Sequence, residues 1–176
     1  RIVRVLRLLP PKVPVVCTTA TANDRVVQDI ESQIANLHIL RGPLVRRSLK
    51  LFNIKLDSQA DRLAWLAHFL PQLPGSGIIY TLTVQDARRT ALWLQQQGIA
   101  AQAYHADLEA QDRIIAEQRL LGNEVKALVA TVALGMGFDK PDLGFVVHFQ
   151  RPGSVVAYYQ QVGRAGRAVD SAFGIL

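Results

Sequence analysis

Residues 77–98 read GIIYTLTVQDARRTALWLQQQG. The first five form a short, continuous, Ile-rich apolar run, the pattern of a strand covered on both faces rather than one. From residue 84 the period changes to that of a helix, with Ala87, Ala91 and Leu94 on one face. Gly98 supplies the stop. Strand, short connection, one-sided helix and glycine stop make up one half of a βαβ unit.

The same alternation extends outward in both directions. Runs at 13–18 (VPVVCT), 49–56 (LKLFNIKL), 127–131 (ALVAT) and 145–149 (FVVHF) read as further strands. Residues 58–70 place Leu63, Leu66, Ala67 and Leu70 on one helical face, and residues 109–121 form a helix closed by Gly122-Asn123. Thr21 or Asn23, Asp57 or Ser58, and Ser154 are the candidate N-caps. The expected fold is α/β, a mostly parallel sheet covered by helices on both faces. The segment 41–48 (RGPLVRRS), with Gly, Pro and three arginines, is the natural internal boundary. Residues 1–42 are too few to bury a core alone, whereas 43–176 hold a nearly complete α/β lobe.

Composition narrows the function classes. The chain has 176 residues, 49% hydrophobic and 19% charged, so it can bury a core. Its net charge is +6, and with five lysines among 20 basic residues the other fifteen are Arg. Arg is the side chain that binds phosphates as a bidentate fork, so a polyanionic partner fits. The single Cys17 excludes an internal disulfide framework and a cysteine-rich zinc site. No apolar run approaches the ~18 residues of a membrane span, and no signal-peptide h-region with a small-residue cleavage site is read in the chain. The expectation is a cytoplasmic protein, or a nucleoid or nuclear one, without a membrane partner. The only Met is Met136, so the chain is expected to be a fragment.

Two clusters carry chemistry. In residues 158–167 (YYQQVGRAGR), Gln160, Arg164 and Arg167 are spaced i, i+4, i+7 and share a face if the segment is helical. Two guanidinium forks and an amide on one surface suit a polyphosphate; a solvated basic helix end with glycine caps is the other reading. In residues 130–142 (ATVALGMGFDKPD), an apolar strand runs into a loop holding Gly135 and Gly137. Open α/β sheets bind ligands at such carboxyl ends, where Asp139 could meet a ribose hydroxyl; a Gly/Pro turn explains the same residues. Thr19 and Thr21 in 18–22 (TTATA) could serve only as caps, and His105 reads more readily as structural than catalytic. No metal-ligand cluster is evident, and no G-x-x-x-x-G-K-[ST] phosphate cradle occurs.

Taken in order, these blocks resemble a RecQ-type DNA helicase of superfamily 2. TTATA is similar to motif III, GIIYT to the start of motif IV, AYHADL with Arg113 to the segment after it, and residues 129–167 to motifs V and VI. The resemblance implies a motor of two RecA-like lobes, related to P-loop NTPases, with ATP and Mg2+ between them. Residues 1–42 would end lobe one, and 43–176 would be lobe two, the helicase C-terminal domain. Arg164 and Arg167 would act as arginine fingers, with Gln160 relaying the nucleotide state. Gly135, Gly137 and Asp139 would lie at the nucleotide, and Thr131, Arg113, Thr19 and Thr21 would contact DNA or couple to it. The implied activity is ATP-dependent translocation on single-stranded or branched DNA with 3′→5′ unwinding, in repair and recombination. The chain alone is expected to be inactive, because the Walker A and Walker B motifs are absent. A remodelling module that keeps the lobe without a working motor is the alternative. The sequence departs from the family at Leu82-Thr83-Val84, at Gln161, where Glu is usual, and at Ala168-Val169 in place of Asp-Gly.

Overall fold

The computed structural model describes residues 8–10, 13–19, 24–34, 38–40, 42, 46–135 and 137–176. The chain divides into two compact units, Arg1–Leu44 and Val45–Leu176. In the first unit the described regular element is helix α1, Asp24–Gln33, whose first residue places a carboxylate at the positive end of the helix. The strand expected at 13–18 does not form: residues 13–19 carry no regular structure and are exposed. A strand is held by its neighbours, and no other strand lies among the described residues of this unit. The caps Thr21 and Asn23 lie outside the described residues.

The second unit runs β1 (Leu49–Phe52), α2 (Gln59–Phe69), a 3-10 turn (Leu70–Gln72), β2 (Gly77–Tyr80), α3 (Val84–Gln96), β3 (Ala101–Tyr104), α4 (Ala110–Leu121), β4 (Ala127–Ala130), β5 (Phe145–His148), α5 (Val155–Val162) and β6 (Ala172–Ile175). The six strands form one sheet in the order β1-β6-β5-β2-β4-β3. Every pairing is parallel. No described helix is long and apolar enough to cross a membrane.

The sheet is covered on both faces, as an all-parallel sheet has to be. On one face Leu66 and Leu70 from the α2 region and Ala87, Ala91 and Leu94 of α3 pack on Ile79, Val129, Phe145 and Val147. On the other, Ala116 and Leu120 of α4 pack with Leu134 and Leu143 on Ile78, Leu128 and Val146. Every residue of β2, β4 and β5 is buried, which is why these three strands read as continuous apolar runs. Ser58 caps α2 through a reciprocal box with Asp61, Thr83 caps α3 and Ser154 caps α5.

Two strands carry no such signal. β3 (AQAY) lies at the sheet edge, paired only with β4, and β6 (AFGI) is interrupted by glycine. Gly174 is required there, because a Cβ would run into Val162 of α5 and Leu51 of β1. The expected 49–56 strand is shortened to Leu49–Phe52, after which Ile54 N–H donates to the Leu176 carbonyl.

Gly144, leading into β5, is the tightest backbone approach: a Cβ there would overlap the Pro74 carbonyl. Gly144→Ala is therefore expected to lower unfolding stability by about 1–3 kcal/mol. Gly153→Ala, with nothing within 4 Å of the added Cβ, should stay within ~0.5 kcal/mol of wild type. Urea titration of the two variants checks this.

Candidate active site

The site is built where β4 ends. Thr131 is buried: its N–H donates to the Tyr104 carbonyl and its hydroxyl accepts from Ala133 N–H at 3.3 Å. This Thr turn drops Leu134 into the core and starts the loop that contains Gly135 and Gly137. Gly137 has φ +103°, a conformation closed to most other residues. Asp139 is exposed, whereas Lys140 is buried and donates to Asp142 Oδ1 at 2.7 Å and to the Leu121 carbonyl. Asp142 also accepts from Asn123, and the bond from Lys140 is the main reason its carboxyl titrates below the usual range. The loop is thus anchored at both ends, with Asp139 projecting between.

The arginines arrive from the end of α5. The helix stops at Val162, so Gln160, Arg164 and Arg167 do not share one helical face, contrary to the reading from their spacing. Gly163 caps the helix, Arg164 and Ala165 N–H groups fold back on Gln161 and Val162, and Gly166 turns the chain at φ +74°. Gln160 remains exposed on the helix. Arg164 turns inward, donating from Nη1 to the Phe138 carbonyl and from Nη2 to the Gly135 carbonyl, both at 2.9 Å. Its charge also lies against the Tyr80 phenol, which burial pushes above the usual tyrosine range despite that charge. Arg167 turns outward and pairs with Asp139 Oδ1 at 2.6 Å, both side chains remaining open to solvent.

The structure therefore brings together Arg164, Arg167, Gly135, Gly137 and Asp139. Thr131 lies at the root of the same loop. Arg113 stands apart on α4, half-buried near Tyr104, whose hydroxyl donates to Glu117. Burial first, and Glu117 next, push that phenol up to about 12, with Arg113 opposing. Thr19 is exposed in the irregular 13–19 stretch, and Thr21 lies outside the described residues. Among the described residues no group of three His, Cys, Asp or Glu gathers where a metal ion could bind.

Several further side chains shape this region, and of these only His105 was singled out from the sequence. Gln150, at the end of β5, accepts from Leu82 N–H at 2.7 Å and donates to Asp86 at 2.8 Å, fastening the loop after β2. His148 is buried, its Nε2 paired with Gln161 Oε1 at 2.9 Å and its ring stacked on Tyr80. His105, also buried, accepts from Arg88 Nε at 3.1 Å. Arg46 and Ser48 bind the backbone of the 163–166 turn. Backbone carbonyls as partners leave no mark in a sequence, which is why the last two went unread.

The helicase conserved C-terminal domain family matches residues 61–169. The chain is 36% identical to the RecQ-like DNA helicase BLM of Xenopus laevis, over 98% of its own length and 13% of the relative's. It is also 36% identical to the ATP-dependent DNA helicase RecQ of Pasteurella multocida, over 89% of the chain and 25% of that protein. The chain thus spans a quarter or less of these relatives. Among solved structures it is similar to S. cerevisiae Dbp5 bound to RNA and ADP BeF3, with a TM-score of 0.78 and 25% identity. That match covers 99% of this chain and 48% of the other.

The buried histidines set a pH dependence. Burial is the main cause that holds both His105 and His148 below the ordinary histidine range. As pH falls through ~6.5 the unfolded chain takes up protons that the folded one still refuses. Their stabilisation is full above that value and lost toward the lower folded pKa. The unfolding free energy is expected to fall between pH 7 and 5 by at most about 1.4 kcal/mol per pH unit for each histidine. His148→Phe should flatten the slope, and urea titrations across that range measure it.

Proposed function

The chain belongs to the helicase conserved C-terminal domain family, on its RecQ-type branch, and we propose on that basis that it serves as the second RecA-like lobe of an ATP-dependent DNA helicase. Residues 1–42 are then the end of the first lobe and 43–176 the second. The activity is translocation on single-stranded or branched DNA with 3′→5′ unwinding, in the nucleoid, nucleus or cytoplasm, serving repair and recombination.

One observation carries this reading. Two arginines of a single turn reach the same loop, Arg164 gripping the Gly135 and Phe138 carbonyls and Arg167 standing exposed beside Asp139. A triphosphate with its Mg2+, held mainly by the first lobe, would face this surface. We assign Arg167 as the finger: its fork is solvent-facing, and phosphate oxygens can replace Asp139 as its partner. Its charge then stabilises the negative charge that develops on the transferring phosphoryl group. Arg164 keeps the loop in shape, so that Gly135 and Gly137 admit the nucleotide closely and Asp139 is free to meet the ribose. Gln160, exposed on α5, relays the nucleotide state. Thr131 acts toward DNA from the turn it forms, where its hydroxyl accepts from Ala133 N–H. Arg113, Thr19 and Thr21 couple to the DNA backbone.

In the full-length protein carrying this chain, Arg167→Ala is expected to lower DNA-stimulated ATP turnover ~10³–10⁵-fold. Nucleotide affinity and melting temperature should change little, because the interaction strengthens in the transition state. Arg167→Lys should recover only part of the rate, since it keeps the charge without the fork. Arg164→Ala should lose both turnover and stability, the latter by about 1.5–3 kcal/mol, as two charge-assisted hydrogen bonds disappear. Near-wild-type turnover in a folded Arg167→Ala variant overturns the assignment. The 176-residue chain alone should show no Mg2+-dependent ATP turnover, and hydrolysis above that of its own Arg164→Ala/Arg167→Ala double variant would contradict the two-lobe reading.

A further inference from the structure

Arg46 and Ser48 belong to the short segment that opens the second compact unit, directly after the division at residues 44 and 45. By sequence this is connecting chain. By contact it is attached to the arginine turn. Arg46 Nη1 donates to the carbonyls of Gly163 at 2.9 Å and Ala165 at 2.7 Å. Ser48 Oγ donates to the Gly166 carbonyl at 2.7 Å. These carbonyls flank Arg164 and immediately precede Arg167. They also lie at or just beyond the C-terminal end of α5, where a helix presents unpaired acceptors and partial negative charge.

The contact is built closely on both sides. Gly166 has φ +74°, and a Cβ on it would stand 2.9 Å from Ser48 Oγ, so the approach depends on glycine. The segment itself is fixed to the sheet: Leu49 N–H donates to the Arg46 carbonyl, and Ala172 N–H, at the start of β6, donates to the Ser48 carbonyl at 2.7 Å. On the far side of the turn Gly166 N–H donates to Leu143 and Ala168 N–H to Pro141. The backbone that aims Arg167 is therefore gripped from two directions, and one grip comes from the chain that connects the units.

We propose that Arg46 and Ser48 are positioning residues for the arginine turn, joining the connecting segment to the direction in which Arg167 points. The proposal rests on the finger reading given above for Arg167. A shift of the segment moves three carbonyls of the turn with it, so the finger is placed in step with the connection between the units. Neither residue meets the nucleotide; both act through Arg167.

The test is a kinetic cycle in the full-length protein, measuring DNA-stimulated kcat, KM for ATP and melting temperature. Arg46→Ala is expected to lower kcat about tenfold or more with KM changed by less than about twofold. Arg46→Lys should recover part of the rate, since an ammonium can reach one carbonyl. The decisive readout is the double variant Arg46→Ala/Arg167→Ala. If Arg46 acts through the finger, the double variant is no slower than Arg167→Ala alone. Multiplying defects, or an Arg46→Ala variant with wild-type kcat beside an inactive Arg167→Ala, overturn the positioning role and leave the finger intact. Arg167→Ala with full turnover overturns the finger reading and the positioning role with it. Should Arg46→Ala melt below the assay temperature, Ser48→Ala, which removes one hydroxyl, takes its place in the same cycle with the same criteria.

Discussion

A half-buried guanidinium that two backbone carbonyls hold by its Nη groups, while its Nε stays buried without a partner, ties the site together. Arg164 reaches from the end of α5 to Gly135 and Phe138, more than twenty-five positions earlier in the chain. A loop containing Gly135 and Gly137 has little to fix its path by itself, because glycines resist folding with a large conformational entropy. The guanidinium supplies the fixed point, and its planar fork specifies an angle as well as a distance. Much of the surrounding architecture serves this arrangement. Tyr80 presents its phenol from β2, His148 stacks on Tyr80 from β5, and Gln161 of α5 holds His148.

Much of the fold was legible because of which residues the sheet covers. The runs 77–81, 127–131 and 145–149 stand out because β2, β4 and β5 lie in the sheet interior with every side chain buried. α2, α3 and α5 were legible from apolar spacing or from cap residues whose hydroxyls act locally. The missed strands have physical reasons as well. β3 is an edge strand of small and polar residues, and β6 needs a glycine to admit Val162 and Leu51. The converse error at 13–18 shows that an apolar run becomes a strand only when a partner strand is at hand.

The site divides along the same line. The Gly135–Asp139 loop and the two arginines could be read, since glycine and arginine in close succession restrict what a loop can do. Their mutual geometry could not. The i, i+4, i+7 spacing assumes that a helix continues, and Gly163 ends it, so Arg164 bonds the Gly135 and Phe138 carbonyls while Arg167 pairs with Asp139. Arg46 looked like one of several linker charges because its acceptors are backbone carbonyls almost 120 residues away. Lys140 illustrates the same point. A buried ammonium is costly without compensation, and its carboxylate Asp142 and the Leu121 carbonyl are found only in the folded chain.

The strand order has a consequence for how the molecule is made. β1 pairs only with β6, although all the other strands and helices of the unit lie between them in sequence. On a ribosome β2, β3, β4 and β5 can assemble while β1 waits with an unsatisfied edge, and long-range closures of this kind are slow. When residues 172–175 arrive, β6 slots between β1 and β5. The same event brings the 46–48 segment onto the 163–166 turn. The two hydrophobic layers, which include Ile175 and Ala172 of β6, are completed by that same step. The arginine turn and the sheet are thus completed together.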